Sequence, residues 1–261
     1  MEFTISKLFK NQIPLIGMIH LPALPGYPTH RGIDYVIKKA VKDLKTLEEA
    51  GFDGVLVEND NDQPHEIHVT DTTKKSFSII MQELLKLSTI PVGMEIIYDM
   101  FSTVEVAHSV NASFIRLDIF ADAIKTRWGI IPSQAKKIAD LMNRLGCTIP
   151  LLTDIQVKHG TLVEQKSITQ SAKDSIEWGA SGLIVTGNWT GQAPTQGDCR
   201  LIKSVDQNVP LFIGSGFSAE NAKKYLPLID GVIVGTSIKT GEYIDFNKAK
   251  ELEKMVHSYN I

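Results

Sequence analysis

Four carboxylates, Glu58, Glu95, Asp118 and Asp154, lie within or just beyond the ends of four short apolar runs, residues 54–57, 92–97, 114–117 and 149–153. Carboxylates gathered in one partly buried place repel each other and lose hydration, and both effects raise pKa values. One group can then hold a proton while a neighbour accepts one. Lys158 and His159 follow in the run Asp154-Ile-Gln-Val-Lys-His-Gly160, where they offer a cation, a proton donor or, for a desolvated lysine, a Schiff-base amine. His20 ends the run 14–19 and is followed by Pro22 and Pro25, which restrain its loop and make it a further acid or ligand candidate. The competing reading pairs Arg116 with Asp118 as a core-filling ion pair, and leaves Lys158 and His159 as solvated loop residues and His20 as a structural hydrogen bonder.

A second group of residues suits phosphate. In Gly214-Ser215-Gly216 and Gly235-Thr236-Ser237 small side chains let backbone N–H groups approach an anion, hydroxyls donate, and a following helix would add its dipole. On this reading Gly216→Asp is expected to abolish binding of phosphorylated ligands and leave the fold intact. The alternative is that these glycines make tight turns and that Ser218 caps the next helix, with Glu220 in its first turn. Gly214, Gly216 and Ala219 also match the spacing of a dinucleotide-binding turn, but fewer than two strand–helix units follow, and no acidic residue ends the next strand. Asn59, Arg116, Thr186, Asn188 and Trp189 complete the set as substrate contacts. Trp189, in the Gly-hinged loop 187–197, would cover a planar ligand.

No cofactor is identified from the sequence. The stretch 58–68 is rich in Asp, Asn and His but lacks the spacing of a calcium loop or a zinc helix. A divalent ion on the oxygens of Glu58, Glu95 and Asp154, magnesium or manganese, is an alternative use of those carboxylates.

The elements that must position these residues follow from period. Eight Val/Ile/Leu-rich runs, 14–19, 54–57, 92–97, 114–117, 149–153, 182–185, 211–213 and 231–234, alternate with stretches of helical spacing, the pattern of repeated βα units. Eight units in 261 residues give about 33 residues each, which predicts an α/β fold, a single (β/α)8 TIM barrel spanning 1–261. Gly51, Gly179 and Asp230 end helices just before buried runs and mark the stability face. The chemistry then belongs at the opposite mouth, where the strands end.

Composition narrows the rest. Lys plus Arg number 27 against 30 Asp plus Glu, and no basic run exceeds two residues, which argues against nucleic acid. No run reaches the length of a membrane span and no secretory signal begins the chain, so a cytoplasmic location is expected. Cys147 and Cys199 read as reduced, buried thiols. Outer helices, with Trp128, Ile130 and Ile131, suggest a homo-oligomer.

The sequence also resembles the BtpA (BtpA/SgcQ) family. The resemblance lies in Gly17-Met-Ile-His-Leu-Pro-Ala-Leu-Pro-Gly26, Gly51-Phe-Asp-Gly-Val-Leu-Val-Glu-Asn59, Arg116-Leu-Asp-Ile-Phe120, Asp154-Ile-Gln-Val-Lys-His-Gly160 and Gly187-Asn188. The tail, 211–238, is similar to phosphate-binding barrels such as the tryptophan synthase α subunit. The resemblance implies a TIM barrel. It also implies a photosystem I-related role from the family's name, and some members are described as nucleosidases. Three functions follow: an enzyme acting on a small phosphorylated metabolite (a sugar phosphate, nucleotide or nucleoside) by acid/base lysis, isomerisation or glycosidic cleavage; a non-catalytic biogenesis or stability factor for a membrane complex; and a flavin-phosphate or other ligand-binding barrel.

Overall fold

The computed structural model describes residues 5–157, 160–187, 189 and 191–259. Each apolar run is a strand: β1 Leu15–His20, β2 Gly54–Glu58, β3 Val92–Glu95, β4 Phe114–Leu117, β5 Leu151–Ile155, β6 Gly182–Val185, β7 Leu211–Ile213 and β8 Gly231–Val234. All pair in parallel with their neighbours, and β8 closes onto β1 with Leu15 opposite Val232. The helices are α1 Ile33–Ala50, α2 Asp71–Leu87, α3 Met100–Val110, α4 Ala135–Leu145, α5 Ile168–Glu177, α6 Gln196–Lys203, α7 Ala222–Tyr225 and α8 Phe246–Ser258. This is the expected (β/α)8 TIM barrel.

The two-residue period of each strand sorts its side chains. Ile16, Met18, Leu56, Phe114, Leu152, Ile184, Phe212 and Ile233 cluster inside the barrel. The alternate positions, such as Leu15, Ile19, Val55 and Val57, pack in the larger core beneath the helices. A Cβ at Gly93 would run into the ring of Phe114, and one at Gly231 into the ring of Phe212. Those glycines therefore leave the volume that the two rings fill. The floor is closed by the N-terminal turn Ile5–Leu8 and by Phe9, whose ring meets Phe114 edge-on at 6.0 Å.

The strands are joined at the floor by two alternating devices. Before each even strand stands Asp53, Ser113, Ser181 or Asp230, whose N–H donates to the carbonyl of Leu15, Val92, Leu151 or Leu211, the first residue of the preceding strand. Its side-chain oxygen takes the N–H of that same residue, at 2.8, 3.1, 3.3 and 2.8 Å. Before each odd strand stands Pro14, Pro91, Pro150 or Pro210, whose carbonyl accepts from Val232, Val55, Ile115 or Leu183. A residue that must only accept there has no use for an N–H, and proline lacks one.

At the mouth the chain departs from the expected pattern in two places. The loop after β4 forms an antiparallel hairpin, Ile124–Thr126 with Gly129–Ile131, and Thr161–Leu162 from the loop after β5 adds a third strand. This small sheet covers the β4–β5 side. The helix after β7 is only four residues, and a 3-10 turn, Thr236–Ile238, follows β8. The helix dipole expected behind the phosphate loop is thus too short to matter. Ser218 is not a cap either: its N–H donates to Asn221 Oδ1 at 3.0 Å, while Asn221 Nδ2 donates to the Gly216 carbonyl at 2.7 Å.

Candidate functional site

The inward register carries upward from the apolar floor into a polar layer. Counting by twos from Met18, Leu56, Phe114 and Leu152 reaches His20, Glu58, Arg116 with Asp118, and Asp154, and from Gly93 reaches Glu95. Arg116, 4% exposed, occupies the centre. Its Nε and second terminal nitrogen donate to the two oxygens of Asp154 at 2.8 and 2.9 Å. Its remaining nitrogen lies 3.4 Å from Glu58 and 3.3 Å from Glu95. The Arg116–Asp118 pair of the competing reading is therefore replaced by pairing of Arg116 with Asp154, Glu58 and Glu95. The three carboxylates considered for a divalent ion converge on this guanidinium instead, and among the described residues no group of His, Cys, Asp or Glu is arranged to hold a metal.

One cation among four carboxylates leaves an excess of negative charge in a buried place. Burial pushes Glu95 well above the usual carboxylate range, Arg116 opposes this, and Glu58, Asp118 and Asp154 add to it. Asp118 is raised to about 7, by burial first and then by Asp154, against the pull of Arg116. Its Oδ2 accepts the N–H of Tyr98 at 3.4 Å, and Tyr98 holds a left-handed backbone with φ of 64°. Glu95 Oε1 and Asp118 Oδ1 are buried and have no hydrogen-bond partner.

A single cavity of about 510 Å³ joins these groups to the loops after β7 and β8. Its floor carries Glu58, Glu95, Arg116 and Asp118, and its far wall carries 214–218 and 235–237. Among the described residues, no acceptor takes the N–H groups of Ser215, Gly216 and Phe217. The 3-10 turn begins at Thr236, so its first N–H groups also lack acceptors within the turn. The Ser215 hydroxyl, by contrast, is used to hold the β6 loop, donating to the Gln192 carbonyl at 2.7 Å. Gly216, with φ of 65°, lies against Ala193 so closely that a Cβ would strike the Ala193 backbone. Gly216→Asp is therefore a folding lesion, and it cannot leave the fold intact as expected.

The remaining candidates separate. His20 lines the cavity; its Nδ1 is 2.6 Å from Lys239 Nζ, and its ring lies 3.0 Å from where a Cβ on Gly235 would be. Asn59 is buried in loop fastening: its Nδ2 donates to Asp62 at 3.0 Å and its Oδ1 accepts from Ile97 N–H at 2.9 Å. Thr186 lies beside Gly214 beneath the lining. Trp189 is 64% exposed and outside the cavity wall. Tyr98 and His65 do line the cavity, packed edge-on at 5.6 Å, as does Phe217. Lys158 and Asn188 lie outside the described residues. Tyr98 and Lys239 went unread in the sequence, and His65 was weighed only within the metal-like stretch 58–68, because each owes its place to how the segments beyond the strand ends fold and not to a strand period.

The comparisons with known proteins agree with this architecture. The chain is 34% identical to an uncharacterized protein of Pyrococcus horikoshii over 95% of this chain and 97% of that protein. It is 31% identical to the photosystem I biogenesis protein BtpA of Synechocystis, over 88% of this chain and 82% of that one. Among solved structures, thiamine phosphate pyrophosphorylase from Pyrococcus furiosus superposes with a TM-score of 0.62 at 13% identity, covering 95% and 97% of the two chains. The N-(5'-phosphoribosyl)anthranilate isomerase of the same organism gives 0.59 at 14%, covering 94% and 99%. At those identities the likeness is one of fold. The model of the BtpA family matches residues 11–258, and the chain belongs to that family.

Proposed function

We propose that this protein is an enzyme acting on a small phosphorylated metabolite by proton transfer, in an isomerisation, lysis or glycosidic cleavage. The observation that carries this reading is the single cavity, with backbone N–H groups of 215–217 unclaimed among the described residues at one end and unpartnered carboxylates at the other. Backbone N–H groups facing one point favour an anion. A carboxyl with a pKa near 7 is matched to acid/base work at neutral pH, which describes Asp118. Glu95, raised by burial, lies beside it with Oε1 unpartnered, and Arg116 fixes Glu58 and Asp154 as its counter-charges. The solved enzymes of like fold, whose names include a phosphate ester, support the phosphate part. A cytoplasmic setting belongs to the same reading.

The test is ligand-dependent stability. A ligand that binds only the folded state raises the melting temperature, so sugar phosphates, nucleotides and inorganic phosphate are screened, each with and without magnesium. Ser237→Glu replaces Gly216→Asp as the control, because Ser237 is exposed on the cavity rim and a glutamate there opposes an anion. The variant is expected to keep the wild-type melting temperature and lose at least tenfold in phosphate-ligand affinity. Unchanged affinity would remove the cup from this reading. A second reading, a biogenesis factor working through a protein partner, draws on the printed name of the Synechocystis relative and on Ile130 and Val163, exposed by 59% and 46% on and beside the small sheet.

A further inference from the structure

The closed end of the cavity is rich in acceptors and short of cations. Among the described residues, Arg116 is the sole Lys or Arg side chain on its wall. That guanidinium is already shared among Asp154, Glu58 and Glu95. Facing it are Glu95 Oε1 and Asp118 Oδ1, buried oxygens without partners, on residues only 2% and 6% exposed. A buried acceptor left unmade is costly, and a ligand that brings an O–H or N–H donor to it recovers that cost. A ligand carboxylate brings the opposite: further acceptors and a negative charge, set against carboxyls that, among the described residues of the wall, already share the one Lys or Arg cation.

We propose that the cavity selects phosphoesters whose far end carries hydroxyl or amino donors, and rejects those whose far end is a carboxylate. This rests on the phosphate-binding reading above and adds the identity of the other end of the ligand. Glu95 and Asp118 are the specificity-determining residues: they receive the donors, while the loops at 215–217 and 235–237 hold the phosphate.

The experiment uses the wild-type protein and titration calorimetry with four probes: glycerol 3-phosphate, O-phosphoethanolamine, 3-phosphoglycerate and inorganic phosphate. The first two separate hydroxyl from amino donors. At least one of them is expected to bind tenfold or more tightly than 3-phosphoglycerate, with inorganic phosphate competing. If 3-phosphoglycerate binds as tightly or more so, and phosphate still competes, the selectivity is overturned and the phosphate cup survives. Binding by none of the four overturns both readings. Glu95→Gln supplies an amide donor in the same shape and is expected to narrow the ratio of the two affinities at least threefold. An unchanged ratio in the folded variant overturns the part assigned to Glu95.

Discussion

Arg116 is the one side chain on which the polar layer depends. It is buried with Asp154, Glu58 and Glu95 within 3.4 Å, so removing it strands three carboxylates without their shared cation. Arg116→Met is expected to destabilise the fold by about 3–5 kcal/mol, measured by urea unfolding, with a larger loss at pH 8 than at pH 5, where protonation relieves the repulsion. Asp118 acts in the other direction. Its folded value near 7 stands above its ordinary value of 3.8, so between those limits the folded state keeps a proton that the unfolded state releases. Stability contributed by this group therefore falls as pH rises from about 4 to about 7. Asp118→Asn, neutral at every pH, is expected to flatten that slope and to stabilise the ligand-free protein above pH 7 by on the order of 2 kcal/mol. A slope identical to wild type would show that Asp118 does not titrate there.

At the scale of elements, the floor and the mouth of the barrel are built for different ends. The floor latches of Asp53, Ser113, Ser181 and Asp230 each close one joint, and two of them reach further, Asp53 to His257 at 2.9 Å and Asp230 to Lys203. Ser113→Ala and Ser181→Ala are expected to cost about 0.5–1.5 kcal/mol each. Their losses should add, since the two joints share no partner, and calorimetric titration of a phosphate ligand should return an unchanged affinity because the latches sit at the end away from the cavity. The small sheet over the mouth is held by one cation: Lys166 reaches Asp122 at 2.8 Å and Asp174 at 2.5 Å, and Gly160 packs against Ile124 where no Cβ would fit. Lys166→Met is expected to speed amide exchange in 121–131 and 161–166 while the barrel strands keep their protection. Equal loss across the strands would mean that the small sheet and barrel open together.

For the molecule as a whole, the sequence determined the barrel and the end at which its chemistry lies. Buried strands must be apolar and amphipathic helices must repeat every 3.6 residues, so eight alternations of the two periods are visible without coordinates, and six of the eight strands lie within one residue of the expected bounds at both ends. The exceptions are the runs 92–97 and 149–153, observed as Val92–Glu95 and Leu151–Ile155. The fourfold alternation of Pro with Asp or Ser before the strands was equally present in the chain, but its meaning needs the hydrogen bonds across each joint. Glu58, Glu95, Arg116, Asp118 and Asp154 were legible as a group because a strand's two-residue period carries them inward. Which of them pair was not. That depends on Arg116 reaching across three neighbouring strands, a contact between residues up to 58 positions apart, and sequence spacing carries no information about it. The same holds for Gly216, whose glycine is required by the Ala193 backbone packed on it, for Trp189, which lies outside the cavity wall, and for Tyr98, which lines it, both placed by loop conformation. Local periodicity fixed where polar side chains would gather, and only the packing of separate strands and loops against one another decided which charges meet, which remain unpartnered and which face the cavity.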